Sequence, residues 1–258
     1  MIEVILIGIG TGAVDQLTLA GVKALNRADL VLVPRKGANK ADLAEVRLAI
    51  CRAVLTNPTT RVVEFDLPVR DQSNPDYLGG VDDWHAAVAA VWAREIGAHL
   101  GVTGVVASLV WGDPSLYDST LRIAERLKRL MDLKVTVVPG ITAIQALTAA
   151  HGIPLNDIGA PVQIMTGRDL RGKGWPSGVD TLVVMLDGAC AFQSIDRDGV
   201  MIWWAAYAGM PEQILRHGPL AEVSGDIVST RAAARDAHGW IMDIYLLRRI
   251  RQERRLRD

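Results

Sequence analysis

The sequence predicts an α/β protein made of two α/β domains. An N-terminal parallel sheet with helices on both faces is followed by a C-terminal mixed sheet. Three observations predict it. Continuous apolar, mostly β-branched runs at residues 3–7, 104–110 and 135–138 read as parallel strands buried on both faces, because a half-exposed strand would alternate. Helical segments separate such runs over the first half, the βαβ order of a parallel sheet. In the second half the segments between strands shorten, and short crossovers favour a mixed sheet.

Each element follows in chain order. The first strand, Glu3-Val4-Ile5-Leu6-Ile7, runs into Gly8-Ile9-Gly10-Thr11-Gly12. Residues 17–26 read as a helix with Leu17, Val22 and Leu25 facing a core. Leu30 to Val33 is a second strand, stopped by Pro34. A helix near 43–55 and a strand at 61–67 follow, then a loop at 68–80 rich in Asp, Pro, Asn and Gly. Residues 82–99 read as a long helix, 104–110 as a strand, 116–131 as a helix and 135–138 as a strand. The domain change is placed at 141–142, giving domains 1–141 and 142–258. Beyond it, strands are predicted at 162–165, 181–186, 200–208 and 239–247, with a Gly/Pro loop at 172–178. Short helices are predicted at 189–196 and 211–215.

The bulk numbers narrow the functions. Lys and Arg number 28 against 29 Asp and Glu, so formal net charge is −1, too even for a general nucleic-acid face. The only cysteines are Cys51 and Cys190, which points to a reducing cytoplasm rather than a disulfide scaffold. No apolar stretch reaches the roughly 18–20 residues of a membrane span. The start lacks the basic region of a secretory signal. His85, His99, His151, His217 and His238 show no metal-ligand spacing. Six arginines crowd residues 248–258, a pattern expected of a solvated terminus.

Chemistry is concentrated at three turns. Gly8 to Gly12 closes the first strand, Trp111-Gly112-Asp113-Pro114 the second of the three runs, and Pro139-Gly140-Ile141-Thr142-Ala143 the third. Ligands of open α/β sheets sit outside the carboxyl ends of strands, so the turns predict one shared small-molecule cleft where the domains meet. The first turn by itself also fits a dinucleotide fingerprint. The second strand, however, ends in Val33-Pro34-Arg35-Lys36 and not in an acid for a ribose, which leaves only a 2′-phosphate dinucleotide open.

In this order and spacing the turns resemble the tetrapyrrole methylases, which transfer a methyl group from S-adenosylmethionine to carbons of a corrin precursor. The matching residues are Gly8, Gly10, Gly12, Leu17 and Thr18, then Gly112-Asp113-Pro114, then Pro139-Gly140-Ile141-Thr142-Ala143. Thr166-Gly167, the 181–186 strand and Pro211-Glu212-Gln213 add later signals. Thr11 stands where most of the family has Pro, Ala13 where many have Asp, and Leu186 where a Met commonly faces adenine. Within the family, the stretches at 110–123 and 242–248 most resemble the branch that methylates precorrin-5 at C-1 and releases acetate.

The resemblance implies donor contacts from Trp111, Gly112, Asp113, Leu116, Thr142, Ala143, Leu186, Ala208 and Gly209, with Asp113 as a polar anchor. It places Gly10, Thr11 and Gly12 on the substrate side. The many substrate carboxylates call for cations, and Arg35, Lys36, Arg70, Arg168, Arg171 and Lys173 are candidates. Acetate release needs water to attack an acetyl carbonyl. Tyr117 and Asp118 are the first candidates to assist, with Asp15 and His85 behind them, while Asp118 can equally cap the next helix and Asp187 can simply end its strand. A homodimer is expected by resemblance alone.

Overall fold

The first strand is apolar on both sides because the sheet carries helices on both sides. In the computed structural model, which describes residues 1–35, 41–70 and 76–250, β1 (Ile2–Gly8) buries Val4 and Leu6 in one core cluster and Ile5 and Ile7 in another. β2 (Leu30–Arg35) and β4 (Gly104–Val110) are likewise buried over most of their length. With β3 (Arg61–Asp66) and β5 (Leu133–Val138) they form a five-stranded parallel sheet of order β3-β2-β4-β1-β5. β5 is an edge strand and only half-buried, so its apolar run does not mark a strand covered on both faces.

Helix α1 (Leu19–Asn26) starts where the Thr18 hydroxyl accepts the Gly21 N–H, two residues later than predicted. α1 and α2 (Ala41–Val54) pack on one face of the sheet through Leu25, Ile50 and Cys51. α3 (Tyr77–Leu100) and α4 (Thr120–Leu127) pack on the other through Trp92, Ile96, Ile123 and Leu127. α3 begins five residues before its predicted start, because the Asp76 carboxylate caps it at the Gly79 N–H. The Gly-Gly pair that reads as loop is helical, and a side chain at Gly79 would strike that same carboxylate. α4 is shorter than predicted, since residues 116–119 belong to the preceding turn.

The chain divides into two compact units, Met1–Thr142 and Ala143–Asp258. The second holds α5 (Ala143–His151), β6 (Val162–Thr166), α6 (Gly167–Lys173), β7 (Thr181–Met185), β8 (Val200–Ala206), β9 (Ile214–Pro219), α7 (Leu220–His238) and β10 (Asp243–Arg249). Its five-stranded sheet has the order β6-β7-β10-β8-β9, with β6 and β7 parallel and the remaining pairs antiparallel. The predicted mixed sheet is therefore observed. The helix predicted at 211–215 is not: Ile214 enters β9, held as an edge strand by β8. The stretch 189–196 holds only a 3₁₀ turn at Ala191–Ser194. α6 and the 19-residue α7 were not predicted at all.

Candidate functional site

In the first unit every strand is parallel, so one edge of the sheet collects all the strand ends. The chain leaves β1 toward β2 on one side and β4 toward β5 on the other, which makes the β1/β4 pair the point where the topology reverses. The first two turns meet there. Gly10 and Gly112 form a two-residue bridge, with Gly112 N–H donating to the Gly10 carbonyl at 2.7 Å. Gly8 is pressed against the third turn: a Cβ there would lie 2.5 Å from Gly140 N and 2.7 Å from Gly112 O. All three turns thus touch backbone to backbone.

Asp113 ties two of these turns together. Its carboxylate accepts the Gly140 N–H at 2.9 Å through one oxygen, and the Ser115 N–H at 2.8 Å and Oγ–H at 2.5 Å through the other. Burial raises its pKa, but the hydrogen bonds from Ser115 and Gly140 outweigh that and hold it below the usual carboxylate range. Gly112 sits at φ +60°, and the nearest atom to a Cβ there is Thr142 Cα, 3.8 Å away. Its surface is therefore open enough for a ligand to approach the backbone closely. Pro114 is buried and Leu116 half-buried.

The glycines of the first turn answer to the protein's own side chains. A Cβ at Gly10 would lie 2.8 Å from Gln16 Cβ, and one at Gly12 would lie 2.8 Å from the Trp111 ring. The Gln16 side-chain oxygen accepts from both Thr11 N–H (3.0 Å) and Thr11 Oγ–H (2.7 Å). These contacts account for the G-x-G spacing without a pyrophosphate. Arg35 pairs with Asp66 at 3.3 Å on the exposed end of β2 and β3. Lys36 lies outside the described residues, as do Arg251, Arg254, Arg255 and Arg257 of the tail.

Tyr117 stands in the left-handed region at φ 48° and is 44 % exposed. Asp118 accepts the Thr120 N–H at 2.6 Å, so its carboxylate serves the start of α4. His85 is only 3 % exposed, and burial followed by the Arg122 charge lowers its pKa, which keeps the ring neutral. Asp15 is exposed in a 3₁₀ turn after the first loop.

The second unit also gathers its predicted residues on one edge. β6 and β7 are parallel, and β7 and β8 run the same way because both are antiparallel to β10. Their carboxyl ends carry Thr166-Gly167-Arg168, Leu186 and Tyr207-Ala208-Gly209 respectively. Leu186 is 66 % exposed yet held at φ 52°, and Tyr207 at φ 50°. Of the four non-glycine residues at positive φ among those described, Leu186 and Tyr207 directly follow strands, while Tyr117 and Cys190 lie farther along the loops after β4 and β7. Strained backbone persists where the surroundings over-determine it, and it clusters at ligand sites. Gly209 N–H donates to Gln213 Oε1 at 2.7 Å, which gives the P-x-Q stretch a turn-closing task. Arg168, Arg171 and Lys173 lie on α6, and Lys173 pairs with Asp169 at 2.7 Å.

The partners of one named residue were missed. Directly after Leu186, Asp187 is 6 % exposed and accepts from Ala191 N–H (2.5 Å), Ala189 N–H (3.1 Å) and Tyr245 Oη–H (2.7 Å). Burial and the Asp187 charge push the Tyr245 phenol far above its ordinary range, so it stays a donor. Arg231 donates to the Asp187 carbonyl and pairs with Asp243 at 2.8 Å. The strand ending predicted at Asp187 is thus enforced by a buried network.

The sequence profile of the tetrapyrrole (corrin/porphyrin) methylases matches residues 3–224. The chain belongs to that family. The methylase is 48 % identical to a precorrin-6A synthase [deacetylating] from Sinorhizobium sp over 251 residues, 96 % of each chain. It is 38 % identical to the crystal structure of a cobalamin synthesis related protein (CobF) from Corynebacterium diphtheriae, with TM-score 0.82 over 97 % of this chain and 99 % of that one. The fold recurs in a uroporphyrin-III C-methyltransferase from Thermus thermophilus complexed with S-adenyl homocysteine, 22 % identical, TM-score 0.59, over 95 % of the methylase and 96 % of that chain. The turns that carried the resemblance are the ones this fold draws together at the β1/β4 switch point.

Proposed function

We propose that the chain is an S-adenosylmethionine-dependent methyltransferase that methylates precorrin-5 at C-1 and releases acetate, forming precorrin-6A. The observation that carries this reading is 48 % identity to a precorrin-6A synthase [deacetylating] across 96 % of both chains. Trp111, Gly112, Asp113, Leu116, Thr142 and Ala143 are proposed as donor contacts, with Leu186, Ala208 and Gly209 of the second unit supplying the rest. The open face of Gly112 fits a flat ring laid against backbone, and Leu186 in the second unit is itself exposed. Asp113 serves this site by holding Gly112 and Gly140 in register, more than by contact through its bonded oxygens.

Bound S-adenosylmethionine would supply a methyl group already activated as a sulfonium. The protein's own task is alignment of donor and ring carbon, which by itself lowers barriers by as much as about 7–11 kcal/mol. Turns locked backbone to backbone suit that task. Gly10, Thr11, Gly12, Arg35, Lys36 and Arg168 are proposed on the substrate side. For deacetylation, water's oxygen bonds to the acetyl carbon and the bond from that carbon to C-1 breaks. Its electron pair stays on C-1, which takes the methyl group and leaves the neutral thioether product, while the acetyl group departs as acetate and the water's protons pass to solvent. Tyr117 is proposed to orient the water or the carbonyl from its exposed position after the donor turn; Asp118, bonded to Thr120, is proposed to hold that turn. A cytoplasmic homodimer is proposed on the family resemblance.

Purified protein incubated with precorrin-5 and methyl-labelled S-adenosylmethionine tests the proposal. One label per tetrapyrrole and one acetate per label are expected. Methylation without acetate would assign another corrin-ring methylation. Calorimetric binding of NADPH, with none of S-adenosylhomocysteine, would remove the methyltransferase reading altogether.

A further inference from the structure

Arg47 occupies the middle of α2, where the helical pattern alone gives it no distinction. The residue is 9 % exposed. Its Nε donates to the Leu109 carbonyl at 2.9 Å and its Nη1 to the Leu43 carbonyl at 3.0 Å. Among the described residues no carboxylate comes within ion-pair distance of it, and Nη2 has no partner. Arg231 and Arg248, which are half-buried, have Asp243 at 2.8 Å and Asp157 at 3.7 Å. Burial lowers the Arg47 pKa to about 10, with the Asp118 charge acting against the shift, so the side chain stays cationic at neutral pH. Asp118 is itself turned to the Thr120 N–H.

A second unmet donor lies beside it. The Arg47 guanidinium carbon is 5.3 Å from the centre of the Trp111 ring, and the Trp111 indole N–H is buried and without a partner among the described residues. The same ring is the one that Gly12 leaves room for. Trp111 is followed directly by Gly112, so the pair stands at the strand ends where β1 and β4 part. Buried cations are ordinarily paired, and buried N–H groups ordinarily donate. A planar guanidinium fork matches a carboxylate, and the cation–π contact holds it in place.

We infer that Arg47, backed by Trp111, is a subsite for one carboxylate side chain of the acidic tetrapyrrole, distinct from the surface cations named by sequence. The inference rests on the proposed substrate class. Arg35, by contrast, already holds Asp66 on the surface.

The test compares wild type with Arg47→Gln and Arg47→Lys. It reads the KM for precorrin-5, the Kd for S-adenosylhomocysteine by calorimetry, and the Kd for uroporphyrin I, a stable octacarboxylate, by fluorescence quenching. Arg47→Gln is expected to raise the precorrin-5 KM and uroporphyrin Kd tenfold or more and leave the S-adenosylhomocysteine Kd within twofold. Arg47→Lys, which keeps the charge, is expected to fall between. Unchanged uroporphyrin affinity in the folded variants overturns the subsite. So does an equal loss of S-adenosylhomocysteine binding in both, which would mark Arg47 as a clamp on Leu109. If wild type does not methylate precorrin-5 but binds uroporphyrin in an Arg47-dependent way, the reaction assignment falls and the carboxylate subsite stands.

Discussion

Replacing Tyr245 by Phe removes one oxygen and leaves the ring. The ring is fully buried, edge-on to Phe192 at 5.2 Å, so packing is retained. What is lost is the 2.7 Å bond to Asp187, leaving that carboxylate with the N–H groups of Ala189 and Ala191. A hydrogen bond to a charged group contributes about 1.5–3 kcal/mol. At an m-value near 2 kcal/mol per M, the urea midpoint of the second unit is expected to fall by about 0.7–1.5 M. Near-UV circular dichroism reports it. The pH dependence is a second check. The folded phenol has a pKa above its ordinary value of 10, so its contribution is complete below about pH 10 and is lost as pH rises beyond. The gap between wild type and Tyr245→Phe is therefore flat from pH 6 to 9 and narrows in stronger alkali. A midpoint shift under about 0.2 M, or a gap that widens above pH 10, would refute the role given to the Asp187–Tyr245 bond.

Two further outcomes follow from the first unit. Gly8→Ala places a methyl 2.5 Å from Gly140 N and 2.7 Å from Gly112 O, backbone atoms that cannot swing aside. Overpacking of this kind destabilises by about 1–3 kcal/mol; calorimetry should show S-adenosylhomocysteine affinity falling with the unfolding midpoint, and wild-type affinity would refute the register of the turns. Asp113→Asn turns an acceptor into a donor facing either the part-buried Gly140 N–H or the exposed Ser115, and is expected to destabilise by about 0.5–1.5 kcal/mol. Because the Asp113 pKa is lowered on folding, the stability difference from wild type is full above about pH 4 and closes as acid protonates the native carboxylate, which acid titration of the unfolding midpoint would follow.

How far the amino-acid string reaches can be judged from particular residues. Ile5 and Ile7 face one core and Val4 and Leu6 the other, so the both-faces-buried reading of the first run is a direct consequence of composition. The mixed character of the second sheet was read from short connections, and it holds although α6 and α7 lengthen two of them. Gly8, Gly112 and Gly140 were legible as turn residues at strand ends, and the fold makes them touch. The run ending in Val138 has the same chemistry as the first but lies at a sheet edge, which strand order alone settles.

Where the reading failed, polar residues had hidden partners. α7 presents Leu220, Ser224, Ile227, Arg231 and Ala234 at helical spacing, yet Ser224 and Arg231 break the apolar stripe. Ser224 is buried and Arg231 half-buried because Arg197 meets one and Asp243 the other, from distant parts of the chain. β9 was not predicted, a helix being read at 211–215 instead, because Gly218 and Pro219 are poor strand formers, and pairing with β8 overrides that. Arg47, one charge in an ordinary helix, acquires meaning only beside Trp111. Periodicity, turn residues and the order of strands and helices are local properties of the chain, and they determined the fold class, the three turns and the family. Which carboxylate is buried, which cation lacks a partner and which glycine another backbone touches depend on segments tens of residues apart, and only tertiary packing decided them.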